Sequence, residues 1–193
     1  MKEVIYGPVQ SWRLGRSLGI NLFPLPFKVC SYDCLYCELG KGSGKGCLPK
    51  REIFIETDTV LKGVKEALLK YSLDYITISG NGEPTMALNL GEVIEGLKKI
   101  TSIPIVVLTN STLLFDNEVR KELGFANEVS VKIDASSDEI LNLVNRPGDD
   151  INIERIKEGI ALFRGEFEGK FSLQMMVIEE NKNEASSLSS FAR

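Results

Sequence analysis

Beyond residue 50, short runs of β-branched and aliphatic residues take turns with amphipathic stretches at helical spacing. That alternation narrows the fold more than any other feature of the chain. Residues 74–80 (DYITISG), 103–110 (IPIVVLTN), 127–135 (NEVSVKIDA) and 171–178 (FSLQMMVI) read as strands, and 17–23 (SLGINLF) as one more ahead of them. Residues 57–71, 91–100, 116–123, 138–144, 152–164 and 184–192 read as helices. In the first of these, Thr57 or Asp58 is the expected cap, and Val60, Val64, Ala67, Leu68 and Tyr71 form one stripe. Strand-then-helix order predicts βαβ units and a parallel sheet covered on both faces. About five units are too few for a closed eight-stranded barrel. The expected fold is therefore α/β, a partial, open (β/α) barrel of about five to six parallel strands. It forms a single domain over residues 1–193, whether complete or cut short at its C-terminus.

The absence of histidine from the 193 residues removes Ser/His/Asp and Cys/His triads and histidine-ligated zinc or haem. No basic patch precedes an apolar run at the N-terminus, and no apolar stretch is long enough to span a bilayer, so a cytoplasmic protein with no membrane partner is expected. Net charge is -4 but uneven: residues 1–51 hold eight Lys and Arg against three Asp and Glu. Lys41, Lys45, Lys50 and Arg51 could meet phosphates; a solvated loop is the plainer reading of that glycine-rich stretch.

Three of the four cysteines fall in VCSYDCLYC, residues 29–37, directly after the strand at 17–23. Clustered sulfurs point to metal or redox work rather than a disulfide framework. A closed zinc site wants four ligands, and the fourth cysteine, Cys47, lies ten residues on. A 4Fe-4S cluster held by three cysteines instead leaves one iron open to an external donor. A structural zinc knuckle is the alternative for the triplet, and Cys47 reads as a spare thiol or a ligand to an additional cluster.

The C-x3-C-x2-C spacing of Cys30, Cys34 and Cys37, with Tyr36 in the aromatic place, resembles the signature of the radical S-adenosylmethionine (SAM) superfamily. SGNGEPT, residues 79–85, at the end of the next strand, is similar to that superfamily's Gly-Gly-Glu-Pro motif. YGPVQSWRLGRSLGI, GNGEPT, LTN and NRPG further resemble its wyosine-synthase-like branch, associated with tRNA guanine modification. Trp12 stands where a basic residue is expected, and no cysteine precedes Cys30 to hold the second cluster of the wyosine synthases.

The resemblance implies that Cys30, Cys34 and Cys37 each bind one iron and that SAM chelates the fourth. One electron then splits SAM into methionine and a 5'-deoxyadenosyl radical, which takes hydrogen from a substrate. It further implies that Gly80 and Gly82 bring backbone carbonyls to the methionine amino group, with Glu83 supplying negative charge beside it. Tyr36 would pack on the adenine, and Thr109, Asn110, Lys132 and Asp134 would stand at ribose and carboxylate contacts. A low-potential donor, ferredoxin or flavodoxin, is implied, and a tRNA base is one candidate substrate.

Each motif also has a plainer reading. GNGEPT alone is a Gly/Pro turn, Thr109-Asn110 a turn cap, and Arg146-Pro147-Gly148 a turn by composition. Lys132 and Asp134 share one face at period two, inward or outward, and Met175 and Met176 read as core. The rival functions are an iron-sulfur electron carrier or redox sensor that does not use SAM, and an RNA-binding protein using the basic N-terminal segment.

Overall fold

The computed structural model describes residues 3–40 and 50–192; Lys41, Lys45 and Cys47 lie outside the described residues. One open sheet carries six strands in chain order. They are β1 (Ile5–Ser11), β2 (Gly15–Asn21), β3 (Tyr75–Ser79), β4 (Ile105–Thr109), β5 (Glu128–Lys132) and β6 (Lys170–Gln174). Pairings from β2 through β6 are parallel, and β1 lies antiparallel to β2. The parallel strands therefore number five, and the sixth strand has the opposite direction. IYGPVQS escapes a strand reading because Gly7 and Pro8 interrupt it; the register shifts between Tyr6 and Val9, which an edge strand tolerates.

Helices α1 (Thr57–Leu68), α2 (Leu90–Ile100) and α3 (Asn117–Leu123) lie in the connections between β2 and β5. Two helices, α4 (Asp138–Val144) and α5 (Ile153–Glu166), join β5 to β6, and α6 (Ala185–Phe191) follows. Glu56, rather than Thr57 or Asp58, holds the N-cap position of the first helix and makes no side-chain cap bond, and the helix ends before Tyr71, which is exposed. Thr57 Oγ1 instead accepts from Asn89 Nδ2 at 3.0 Å.

The expected two-sided cover is not what forms. Across the sheet, Ile20, Ile78, Val107, Val129 and Phe171 stand in register, as do Leu18, Ile76 and Ile105. These rows share one core with Val60 and Val64 of α1, Leu90, Val93, Ile94 and Leu97 of α2, Val119 and Leu123 of α3, and Ile156, Ile160 and Phe163 of α5. The opposite rows hold Ser17, Thr77, Glu128, Ser130, Ser172 and Gln174, with only Val106 and Leu108 apolar. Alternation at period two thus sends apolar side chains outward to the helices and polar ones to the inner face.

On that inner face Ser17 and Thr77 hydroxyls pair at 2.5 Å. The turn between β1 and β2 folds across it, burying Leu14. With the Gln174 amide oriented to satisfy its neighbours, its oxygen accepts from Ser130 Oγ at 3.0 Å and Arg13 Nη2 at 2.8 Å. Among the described residues no helix is long and apolar enough to cross a membrane.

A one-sided core makes a clear expectation for truncation. Ile78→Ala should cost about 2–5 kcal/mol in chemical denaturation, whereas Ser172→Ala on the inner face should stay within about 0.5 kcal/mol.

Candidate active site

After β2 the chain crosses the C-terminal ends of the parallel strands as the loop carrying Cys30, Cys34 and Cys37. Two backbone clasps hold it. On one side Val29 bridges Gly82 in parallel fashion, with Val29 N donating to Asn81 O at 3.0 Å and Glu83 N to Val29 O at 2.8 Å. A Cβ on Gly82 would lie 1.8 Å from Val29 O, so only glycine permits this approach. Gly80, at φ +104°, packs on Asn21, whose Oδ1 would lie 2.6 Å from an added Cβ. On the other side, residues 31–35 run against 144–148. Tyr32 bridges Pro147; Asp33 N donates to Asn145 O and Leu35 N to Val144 O, both at 2.9 Å, and Gly148 N to Ser31 O at 3.3 Å. Arg146 takes a left-handed conformation there, φ 49°.

Glu83 ties the GNGEPT turn to the end of β4. Its Oε1 accepts from Thr85 N at 3.1 Å, Thr85 Oγ1 at 2.8 Å and Thr109 Oγ1 at 2.6 Å, and its Oε2 from Asn110 N at 2.6 Å. The carboxyl is 2% exposed. Burial pushes its pKa above the ordinary 4.5, although the donors from Thr109, Asn110 and Thr85 pull the other way.

Amide donors reach two of the three sulfurs. Asn110 Nδ2 lies 3.5 Å from Cys30 Sγ and 2.9 Å from Ser31 Oγ. Asn145 Nδ2 lies 3.4 Å from Cys34 Sγ. Burial pushes the Cys30 thiol up to about 12, with the Glu83 charge adding to it, and burial raises the Cys34 thiol as well. Lys28, within the same loop, donates to Asp33 at 2.7 Å in a nearly enclosed pair. Burial works against its charge, but Asp33, Cys37 and Cys30 outweigh that and hold its pKa above the usual lysine value.

Both members of the Lys132/Asp134 pair face the cysteine loop rather than solvent. The Tyr36 hydroxyl donates to Asp134 Oδ2, Lys132 Nζ sits 3.8 Å from that oxygen, and it also lies 4.3 Å from the Tyr36 ring centroid. Asp134 Oδ1 accepts from Met176 N at 2.7 Å. Of the methionines read as core, Met175 packs there while Met176 is 43% exposed. Arg51 is not a free cation: its guanidinium donates to Thr85 O at 2.8 Å and Ala87 O at 3.2 Å and pairs with Glu122.

Tyr36, Gly80, Gly82, Glu83, Thr109, Asn110, Lys132, Asp134 and the three cysteines thus gather at one end of the sheet. Beside them a cleft of about 610 Å³ is lined by Glu3, Tyr6, Asn21, Leu39, Ser79, Gly80 and Asn81. Residue-by-residue reading missed Asn21, whose Oδ1 accepts from Asn81 N at 3.1 Å and Phe23 N at 3.0 Å, and Asn145. The quoted NRPG motif contained the signal for Asn145; for Asn21 the sequence held none.

Replacing Gly82 by alanine should push the cysteine loop off the strand ends and destabilise the fold by about 1–3 kcal/mol, read by denaturant titration. A buried carboxyl with a raised folded-state pKa favours folding most below its unfolded value, and that contribution fades as pH climbs through the folded one. The stability of Glu83→Gln relative to wild type should therefore improve as pH rises from about 4 to 8, measured by paired denaturation curves.

The model of the Radical SAM superfamily matches residues 25–192. A UPF0026 protein of Synechocystis sp. is 46% identical over 176 residues, covering 91% of this chain and 64% of the relative. A UPF0026 protein of Methanocaldococcus jannaschii is 37% identical over 178 residues, covering 91% and 54%. The chain thus spans between half and two thirds of the length of these curated relatives. The structure of TYW1 with a lysine-pyruvate adduct bound shares the fold at TM-score 0.66 and 14% identity, over 92% of this chain and 60% of that one. From motif, fold and family match together, the chain belongs to the radical SAM superfamily.

Proposed function

We propose that this domain binds a 4Fe-4S cluster through Cys30, Cys34 and Cys37 and uses it to cleave SAM reductively for hydrogen abstraction from a substrate. The observation that carries the reading is the double clasp. Two turns, at Gly82 and at Asn145–Gly148, fix a loop with three free thiols over the C-terminal strand ends, where α/β barrels assemble their chemistry. The donor set fits the group. Three free thiols on one short loop are the donor set of a cluster that leaves one iron to an external ligand, and the Asn110 and Asn145 amides reach two of those sulfurs.

When bound, the cluster and SAM together supply a one-electron cleavage whose carbon-centred radical takes a hydrogen atom. The chain's own residues bind, orient and shield. Glu83 keeps the GNGEPT turn against β4, so that the backbone at Gly80 and Gly82 is held where the methionine end of SAM is expected. Thr109 and Asn110 serve that same turn through Glu83, and Asn110 also reaches Cys30. Tyr36 is held by Asp134 and covered by Lys132, which orders an aromatic face and a cation–carboxylate pair toward the adenosine end. The burial of Glu83 and Asp134 keeps water from the groups that hold these turns.

This reading brings with it a cytoplasmic setting and a low-potential donor such as ferredoxin or flavodoxin. A tRNA guanine is the first substrate to test, supported by the likeness of GNGEPT, LTN and NRPG to the wyosine-synthase-like branch. Anaerobically reconstituted protein given dithionite and SAM should release 5'-deoxyadenosine, and Cys34→Ala should lose at least about tenfold of that yield. Equal yields from both would defeat the assignment. Stimulation of the yield by unmodified tRNA, absent with a small-metabolite pool, would support the RNA substrate.

A further inference from the structure

Asn145 stands at the C-terminal end of α4, 1% exposed, and its side chain is the meeting point of three groups. Nδ2 lies 2.8 Å from Asp134 Oδ2, 3.1 Å from the Tyr36 hydroxyl and 3.4 Å from Cys34 Sγ. The amide has two hydrogens for these three acceptors. Its orientation is fixed, because turning it over would set Oδ1 against Asp134 Oδ2, which already accepts from Tyr36. Oδ1 itself is buried with no donor among the described residues. The backbone of the same residue accepts from Asp33 N at 2.9 Å, so the donor and the sulfur it addresses are carried on mutually bonded segments.

We infer that Asn145 is a potential-setting residue: its buried amide N–H, held in one orientation by Asp134, donates to the Cys34 sulfur and stabilises the added electron on the cluster that sulfur would ligate. The inference rests on the three-cysteine cluster proposed above. Hydrogen bonds to cluster sulfurs are among the levers by which a protein sets such a centre's potential, and a donor directed at a charged acceptor in a dry site is worth more than one in water. Asn110 gives Cys30 a similar donor from the end of β4 at 3.5 Å, and the same amide nitrogen reaches Ser31 Oγ at 2.9 Å. Asn145 differs in serving the sulfur, the aromatic and the carboxylate through one group. It thereby couples the position of Tyr36 to the electronic state of the cluster.

The test is an EPR-monitored redox titration of reconstituted wild type, Asn145→Leu and Asn89→Leu. Asn89 is a buried asparagine whose amide donates to Ile55 O and Thr57 Oγ1, with no sulfur among its partners. Asn145→Leu should weaken reduction about tenfold, which is a downward shift of about 59 mV for one electron. Asn89→Leu should lower the apoprotein's melting temperature with the potential unmoved. An unchanged potential in Asn145→Leu, or an equal shift in Asn89→Leu, overturns the inference. A wild type that assembles no cluster instead overturns the proposed function, and the two failures are separate. Should Asn145→Leu not load a cluster, wild type labelled with 15N-asparagine answers the same question. Its reduced cluster should show amide 15N coupling by pulsed EPR, at a strength that survives Asn110→Ser. Loss of all coupling in that background overturns the inference.

Discussion

A single enclosed carboxylate, Glu83, does for this fold what no strand pairing does: it joins the turn after β3 to the end of β4. Four donors converge on its two oxygens. Without that acceptor, the Asn110 N–H and the Thr85 and Thr109 groups would be left buried and unpaired, which costs more than an ordinary hydrogen bond contributes. The turn fixed in this way presents Gly82 to Val29, and through that contact the cysteine loop is seated. The Gly82 side of the cysteine loop is therefore referenced to one side chain that is itself nearly inaccessible.

The sheet beneath has an asymmetric division of labour. Helices cover only its outer face, where apolar side chains meet in register in one row across five strands and another across three. The inner face is lined with hydroxyls and amides and is crossed by the β1–β2 turn, from which Arg13 reaches Gln174 on the last strand. Such a face gains little from burial and much from hydrogen bonding. Apolar packing and polar pairing are thus kept on opposite sides of the same strands, while the cysteine loop sits at their C-terminal ends and packs on the apolar core.

Much of the site was legible as motifs. The cysteine spacing and SGNGEPT lie one strand apart in the chain and adjacent in space, because consecutive parallel strands bring successive C-terminal ends together. Period two placed Lys132 and Asp134 on one face, but alternation alone does not say which face looks inward. The neighbours of Tyr36 decided it. The edge strand β1 was hidden by its Gly-Pro pair, and although NRPG marked a turn at Asn145, the contact of that residue with Cys34, 111 positions earlier, is made only by the fold.

What the sequence by itself determined is the alternation of strand and helix, the open parallel core and the three-thiol loop, all of which depend on local pattern and residue type. Only the tertiary structure decided that the helices take one face, that Arg51 is committed to Glu122 and the turn carbonyls, and that asparagines from two distant turns address two of the sulfurs. The physical reason is that a hydrogen bond is specified by direction and distance between groups brought together by packing. Periodicity fixes the side of an element on which a group lies, and packing alone fixes what it meets there.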